Sequence, residues 1–247
     1  MVSFPKCGRT WLRLMLGETI DMHFGLEAPG RDKLELFPLG AARRDVPRVF
    51  VSHDGHPDRQ RPEELSGSKG RYRRHRVLLL VRDPRDAVVS LYFQAVKRQW
   101  WGGSYQGTLH DFLHEDAGSV ASILAYYNTW ARQRTVPRAL HLVRYEDLHA
   151  DPHTELRSIM SFIGVVDVSD ATIDKAVEAA RFERMRELEQ SDALGSYRLK
   201  PVDPDDEESY KTRRGKAGGY VDYFDGDELA WLDARVAELD PWYGYRG

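Results

Sequence analysis

The sequence predicts an α/β fold with three layers, in which a central parallel sheet is flanked by helices. Short apolar runs at residues 2–4, 49–52, 76–81 and 139–143 have the length and composition of buried parallel strands. Helical patterns lie between these runs, and strands that alternate with helices form doubly wound sheets. The chain has 247 residues, of which 41% are hydrophobic. Those totals suit a single domain over residues 1–247.

Helix signals occupy the segments between the predicted strands. Apolar residues recur at helical spacing between residues 11 and 20. Residues 84–98 begin with an acidic cap and a proline in the first turn, and residues 119–134 are rich in aromatic side chains. A further helix begins at Pro152, and residues 227–239 repeat its pattern of one apolar face.

Three segments rich in glycine, proline and charge are predicted to be loops. They are residues 25–47, 57–75 and 191–219. Long loops in a compact domain are either binding segments or mobile surface excursions, and the sequence leaves both open. The basic run at residues 71–76 is predicted to be a solvated loop that leads into a strand.

Charge and cysteine content limit the partners of this chain. The net charge is -3 and the isoelectric point is about 6.3, so the field of the whole protein does not favour nucleic acid or an anionic membrane. No apolar run is long enough to span a bilayer. Cys7 is the one cysteine, and the chain begins with Met-Val-Ser-Phe rather than an export signal. We therefore expect a cytoplasmic location.

A phosphate-binding loop is predicted at residues 3–11, which read SFPKCGRTW. A strand ends in a turn that contains Gly8, and a helix begins at once, so several backbone N–H groups point at one spot. Lys6 adds a positive charge, and the Thr10 hydroxyl adds a donor. The ATP-type loop places lysine after its last glycine, whereas here lysine comes before it. The turn therefore suits an anion without matching the ATP-type pattern.

This loop resembles the 5'-phosphosulfate loop of the cytosolic sulfotransferases. The shared residues are Pro5, Lys6, Gly8, Thr10 and Trp11. The family usually has serine where this chain has Cys7 and threonine where it has Arg9. The family's contacts here are largely backbone amides, so these departures weaken the match only slightly. We expect Cys7 to be a buried, unreactive thiol and the Trp11 ring to stack on a base.

Two further motifs resemble the family's 3'-phosphate site. The run RDPRD at residues 82–86 follows a predicted strand, and its helix carries Ser90. The run RRGKAGG at residues 213–219 resembles the family's second motif, in which side chains and backbone amides cover the same phosphate. Arg214 replaces the usual lysine there, which keeps the charge, and Gly219 stands where aspartate usually follows.

Two aromatic residues are assigned to the adenine by the same resemblance. Tyr145 begins the sequence YEDL after the strand at 139–143, as in the family. Phe182 lies where the family has a second stacking ring. Ala180 and Arg181 depart from the usual threonine and serine before that ring, so a hydroxyl contact to the base is expected to be missing.

The resemblance implies a P-loop-like fold and a sulfotransferase that uses 3'-phosphoadenosine 5'-phosphosulfate (PAPS), releases 3',5'-ADP and needs no metal. The implied nucleotide-binding residues are Lys6, Cys7, Gly8, Arg9, Thr10, Trp11, Arg82, Ser90, Tyr145, Phe182, Arg213, Arg214 and Gly215. The implied catalytic residues are Lys6, His53 and Ser90. Lys6 stabilises the departing oxygen, and Ser90 holds that lysine away until the acceptor arrives.

His53 is our choice for the base, because it ends a predicted strand and the family places its catalytic histidine after this strand. An imidazole with an ordinary pKa of about 6.5 suits proton abstraction. His56 is close by in a chain with nine histidines, so the choice between them stays open.

The acceptor is a small molecule with a hydroxyl or amine that the sequence does not identify. The aromatic residues Trp100, Trp101, Tyr105, Tyr126 and Tyr127 either line its pocket or belong to the core. Two alternative functions are compatible with the sequence. One is a P-loop kinase or nucleotide phosphotransferase, and the other is a PAPS-binding protein without turnover. The oligomeric state stays open.

Overall fold

A three-stranded parallel sheet organises the computed structural model, which describes residues 1–98 and 104–247. The strands are β1 (Val2–Ser3), β2 (Arg76–Val81) and β3 (Ala139–Arg144), and β2 is the middle strand. In the described residues the α-helices are α1 (Arg9–Phe24), α2 (Leu36–Ala41), α3 (Pro84–Lys97), α4 (Leu109–Leu113), α5 (Val120–Arg132), α6 (Tyr145–Ala150), α7 (Pro152–Phe162), α8 (Asp170–Ala179), α9 (Phe182–Gln190) and α10 (Gly226–Val236).

The register of the sheet brings several chain segments to one edge. Ser3 pairs with Leu80, and β3 pairs with the whole length of β2. A bridge between Val2 and Ser52 adds the chain around residue 52 beside β1. All these pairings are parallel, so the carboxyl ends point the same way, and α/β sheets bind ligands at that edge.

The described residues form two compact units. The sheet unit comprises Val2–Cys7, Ser52–Glu146 and Lys216–Gly247, and the helical unit comprises Gly8–Val51 and Asp147–Gly215 together with Met1. In the helical unit α1 packs against α8, and in the sheet unit α3, α5 and α10 pack against one another. A single domain over the whole chain stays a prediction.

The sheet unit has a core of apolar strand and helix side chains. Every residue of β2 after Arg76 is buried, as expected for the middle strand of a covered parallel sheet. α5 contributes the fully buried rings of Tyr127 and Trp130. The buried residues of α5 recur at the spacing expected for a helix that turns one face toward the core.

The predicted α/β fold with a central parallel sheet and flanking helices is confirmed. The strand prediction at 76–81 is met residue for residue, and the predicted helices appear with ends within a few residues. The strand prediction at 49–52 is wrong, because only Ser52 pairs, in a single bridge. Phe50 is 62% exposed, so this run is not the fully buried strand that its apolar composition predicts. None of the helices in the described residues is long and apolar enough to cross a membrane.

Candidate functional site

The turn after β1 has the backbone geometry of an anion-binding loop. Lys6 has a φ of 68° and Gly8 a φ of 87°, both in the left-handed region that glycine adopts most easily. Gly8 precedes the first residue of α1 and has no side chain to cap the helix. The first-turn N–H groups of a helix in this position favour a negatively charged ligand. The turn thus has the strand, loop and helix order that the sequence predicts.

Cys7 faces the interior from this turn. Its Sγ lies 3.3 Å from the hydroxyl of Tyr127 and 3.7 Å from the carbonyl oxygen of Pro5, and the side chain is fully buried. Burial raises the pKa of Tyr127 well above its ordinary value. The prediction of a buried thiol is confirmed.

Arg82 connects the turn to two other parts of the sheet unit. Its guanidinium donates to the carbonyl oxygen of Lys6 at 3.4 Å and to that of Lys216 at 3.0 Å. It also lies 4.4 Å from the centre of the Tyr145 ring. Burial raises the pKa of Tyr145, and the nearby Arg82 charge acts in the opposite direction. The structure therefore brings Lys6, Arg82 and Tyr145 together, as predicted.

Asp86 fixes the chain after Lys216 by accepting two backbone hydrogen bonds. Its carboxylate oxygens accept from the N–H of Gly218 at 2.7 Å and of Tyr220 at 3.0 Å. Burial raises the pKa of Asp86, which the Arg82 charge and these N–H groups oppose. Ser90 lies one helical turn later on α3 and is half-buried. The sequence analysis missed Asp86, although its place in the RDPRD motif was the available signal.

His53 is held at both its ring and its backbone. Its Nδ1 lies 2.9 Å from the carbonyl oxygen of Ser3, and its own carbonyl accepts from the hydroxyl of Tyr126 at 3.2 Å. A carbonyl oxygen can only accept, so Nδ1 carries the hydrogen and Nε2 is the basic nitrogen of the neutral ring. His56 is exposed, whereas His53 is half-buried next to β1. This arrangement favours His53 over His56 as a base.

The residue after His53 belongs to a buried charge cluster. The Asp54 carboxylate is 1% exposed and lies 2.7 Å from the Nζ of Lys69, whose side chain is 2% exposed. The Tyr72 hydroxyl donates to Asp54 at 2.8 Å, and Arg71 also pairs with it. Burial lowers the pKa of Lys69 from 10.5 to about 8. Nothing in the sequence pattern indicated this cluster. The prediction of a solvated loop at residues 71–76 that leads into a strand is confirmed, since all of them except Tyr72 are exposed and β2 begins at Arg76.

Lys69 is also packed against aromatic rings. Its Nζ lies 5.1 Å from the centre of the Trp130 ring and 5.8 Å from that of Tyr126. An ammonium over an aromatic face is stabilised by the ring quadrupole. Asp54 follows His53 directly and has a φ of 61°, in the left-handed region. The contacts of the Asp54 carboxylate therefore hold an unusual backbone turn next to the predicted base.

In the helical unit, Phe182 and Gly215 are in contact. A Cβ added to Gly215 would lie 2.2 Å from Cδ2 of Phe182, and Gly215 has a φ of +59°. The Nε2 of His149 lies 2.8 Å from the carbonyl oxygen of Gly215. Arg213 is paired with Glu208 at 3.1 Å, and Arg214 is exposed. Phe182 and Gly215, which are both predicted to bind the nucleotide, are thus in contact within the helical unit.

Trp11 is held by a hydrogen bond within the helical unit. Its indole Nε1 donates to the carbonyl oxygen of Ala180 at 2.8 Å, and its ring packs edge-on against that of His149. Arg9 and Thr10 precede it in the first turn of α1 and are half-buried. Stacking of Trp11 on a base stays a prediction.

The aromatic residues that were predicted either to line the acceptor pocket or to belong to the core fall into three groups. Tyr126 and Tyr127 are buried core residues, and Tyr105 donates to Glu115 at 2.7 Å. Trp100 and Trp101 lie outside the described residues. In residues 1–98 and 104–247, no group of three His, Cys, Asp or Glu side chains is placed to hold a metal ion. The predicted lack of a metal stays a prediction.

The known sequences to which this chain is similar are sulfotransferases. A profile of the sulfotransferase domain matches residues 1–239. The 3-alpha-hydroxysteroid sulfotransferase of Cavia porcellus is 27% identical over 237 residues, which cover 90% of this chain and 76% of that protein. Sulfotransferase 6B1 of Danio rerio is 24% identical over 242 residues, which cover 94% of this chain and 75% of that protein.

Two solved structures share the fold. Mouse sulfotransferase SULT7A1 complexed with PAP has a TM-score of 0.62 at 21% identity and covers 96% of this chain and 82% of its own. Retinol dehydratase in complex with androsterone and inactive cofactor PAP has a TM-score of 0.63 at 19% identity, over 96% of this chain and 78% of its own.

The Lys69–Asp54 pair yields a prediction about stability. We expect Lys69→Met to lower the free energy of unfolding by about 3 kcal/mol, because removal of one partner leaves a buried charge poorly compensated. Urea unfolding followed by circular dichroism measures this change. The exposed Lys175→Met is the matched control and should change stability by less than about 0.5 kcal/mol. Equal stability of the two variants would contradict a structural role for the pair.

Proposed function

The chain belongs to the sulfotransferase family and is a PAPS-dependent sulfotransferase, and we propose that it sulfates a hydroxyl or amine of a small molecule with His53 as the base. The position of Arg82 is the main observation that supports nucleotide binding. One guanidinium contacts the carbonyl of Lys6, the carbonyl of Lys216 and the ring of Tyr145. A planar fork of donors at the carboxyl edge of the sheet suits a phosphate.

The nucleotide is proposed to bind through three groups of residues. The turn from Lys6 to Trp11, including Cys7, Gly8, Arg9 and Thr10, takes the 5'-phosphosulfate through backbone N–H groups and the lysine charge. Arg82 and Ser90 take the 3'-phosphate, together with Arg213, Arg214 and Gly215. Tyr145 and Phe182 take the adenine. The left-handed backbone at Lys6 and Gly8 and the contact between Phe182 and Gly215 support these roles.

The chemical step is an in-line displacement at sulfur. The Nε2 of His53 accepts the proton of the acceptor hydroxyl as its oxygen bonds to sulfur. The bond between sulfur and the bridging oxygen breaks, and the electron pair leaves with 3',5'-ADP. Lys6 stabilises the negative charge that develops on that oxygen, and Ser90 restrains the lysine beforehand. The hydrogen bond from Nδ1 to Ser3 supports Nε2 as the accepting atom.

The acceptor class is proposed from the relatives. One relative is named for a 3-alpha-hydroxysteroid, and the retinol dehydratase structure contains androsterone. We extend only the shared chemistry, a hydroxyl on a small apolar scaffold, to this chain. Action in the cytoplasm and independence from metals are also proposed, and both rest on the sequence.

Nucleotide binding can be tested by thermal unfolding. At about 100 times its dissociation constant, 3',5'-ADP should stabilise the fold by roughly 2.7 kcal/mol. For a chain of this size the melting temperature should rise by roughly 5 to 10 °C. ATP at the same concentration should give a much smaller rise. Equal shifts for the two nucleotides would favour the kinase alternative.

The role of His53 can be tested by turnover with PAPS and a panel of phenols, alcohols and amines. We expect His53→Ala to lower kcat by about 100-fold or more, because a positioned base contributes at least that factor. Binding of 3',5'-ADP should change little, since the base acts on the acceptor. His56→Ala is the control from the same loop and should keep most activity. A larger loss in His56→Ala would transfer the role to that residue, and binding without turnover of any acceptor would favour the non-catalytic alternative.

The contact between Phe182 and Gly215 can be tested with Gly215→Ala. The new methyl group would overlap the Phe182 ring, and the left-handed backbone adds about 1–2 kcal/mol of strain. We expect the affinity for 3',5'-ADP to fall at least ten-fold in calorimetry. Gly226→Ala has open space around its Cβ and is the control. Unchanged affinity in Gly215→Ala would show that residues 213–215 do not contact the nucleotide.

A further inference from the structure

Helix α9 holds the chain segment that leads into residues 213–215. Phe182, Arg186 and Glu189 follow one another at spacings of four and three residues, so their side chains share one face of the helix. Each of the three contacts the segment at residues 210–215. Phe182 contacts Gly215, the last residue of this segment, and Arg186 and Glu189 contact residues that precede Gly215.

Glu189 makes the densest set of these contacts. One carboxylate oxygen accepts from the N–H of Lys211 at 2.7 Å. The other accepts from the N–H of Thr212 at 3.0 Å and from its hydroxyl at 2.8 Å. The side chain is fully buried. A carboxylate is retained in such a place only when strong donors compensate its lost hydration, and these three donors do so.

Arg186 restrains the same segment from the next turn of the helix. Its guanidinium donates to the carbonyl oxygen of Thr212 at 3.1 Å and lies 3.5 Å from the centre of the Tyr210 ring. The backbone of Thr212 is therefore held at its N–H by Glu189 and at its carbonyl by Arg186. The next residue along the chain is Arg213.

We propose that Glu189 is a positioning residue for the 3'-phosphate site, because it fixes the backbone at Lys211 and Thr212 and thereby presents residues 213–215 to the nucleotide. This inference rests on the proposed function, since it requires that residues 213–215 bind the 3'-phosphate. A carboxylate is needed rather than an amide. Glutamine in place of Glu189 would set its own N–H groups against one of the N–H or hydroxyl donors.

Two nucleotides that differ only in the 3'-phosphate test the proposal. Calorimetry on the full chain gives the affinities for 3',5'-ADP and for 5'-AMP, and their ratio measures what the 3'-phosphate contributes. We expect Glu189→Gln to lower this ratio about ten-fold through weaker 3',5'-ADP binding, as hydrogen bonds to a charged group are worth that much. The affinity for 5'-AMP should stay the same.

Three further variants make the outcome unambiguous. Glu187→Gln changes an exposed glutamate on the same helix and should leave the ratio unchanged. Thr212→Val removes one of the three hydrogen bonds and should lower the ratio by a smaller factor. If Glu189→Gln does not fold, Thr212→Val alone must show this selective loss, or the inference is wrong. Adding Glu189→Gln to Arg213→Ala should lower the ratio little further, because both changes disable the same segment.

The results separate the inference from its premise. A ratio that Arg213→Ala leaves unchanged would remove the 3'-phosphate assignment itself. A ratio that falls in Arg213→Ala but not in Glu189→Gln would overturn only the role of Glu189. Equal weakening of both nucleotides in Glu189→Gln would mean that the residue supports the fold in general, which also overturns the proposal.

Discussion

The contacts of the Arg82 guanidinium are the interaction on which the carboxyl edge of the sheet unit depends. The guanidinium joins the carbonyls of Lys6 and Lys216 and covers the ring of Tyr145, so segments that are distant in sequence meet at one cation. Arginine is suited to this task because its five donors lie in a fixed plane and its charge is never lost. A lysine would supply charge without linking three partners at fixed angles.

The turn after β1 imposes a second constraint, which concerns the backbone. Lys6 adopts a left-handed conformation that is uncommon for a residue with a side chain, and Gly8 adopts it next to the start of α1. Such strain persists where the surrounding structure enforces it and is often found at ligand sites. Between these two residues, the side chain of Cys7 is directed into the core beside Tyr127. The departure from the family's usual serine at position 7 thus fits an inward-facing side chain.

The fold class could be predicted from the sequence because its signals are local, and the proposed site residues come from local motifs of the same kind. β2 is a continuous apolar run, and α3 has an acidic cap followed by proline, so both could be placed. Residues 49–52 look like β2 in composition, yet they do not form a strand. Burial depends on which segments pair with them, and composition carries no record of pairing. The predicted loops likewise concealed the ordered helix α2.

Buried acidic residues were invisible to the sequence analysis for a related reason. Asp54, Asp86 and Glu189 accept hydrogen bonds from groups that lie 17 or more residues away. An acidic residue is ordinarily exposed, so nothing local distinguishes Asp54 and Glu189, and only Asp86 lies in a motif, RDPRD, that could have drawn attention to it. In the helical unit Glu189 holds the backbone N–H groups just before residues 213–215. In the sheet unit Asp86 holds backbone N–H groups just after Lys216. These backbone hydrogen bonds do not draw on the side-chain charges of the basic residues, although Arg213 and Lys216 also form ion pairs with Glu208 and Asp222. For an anion site this matters, because each internal carboxylate contact that a phosphate must displace weakens its binding. The pair between Arg213 and Glu208 is such a contact, so a phosphate that bound Arg213 would have to compete with the Glu208 carboxylate.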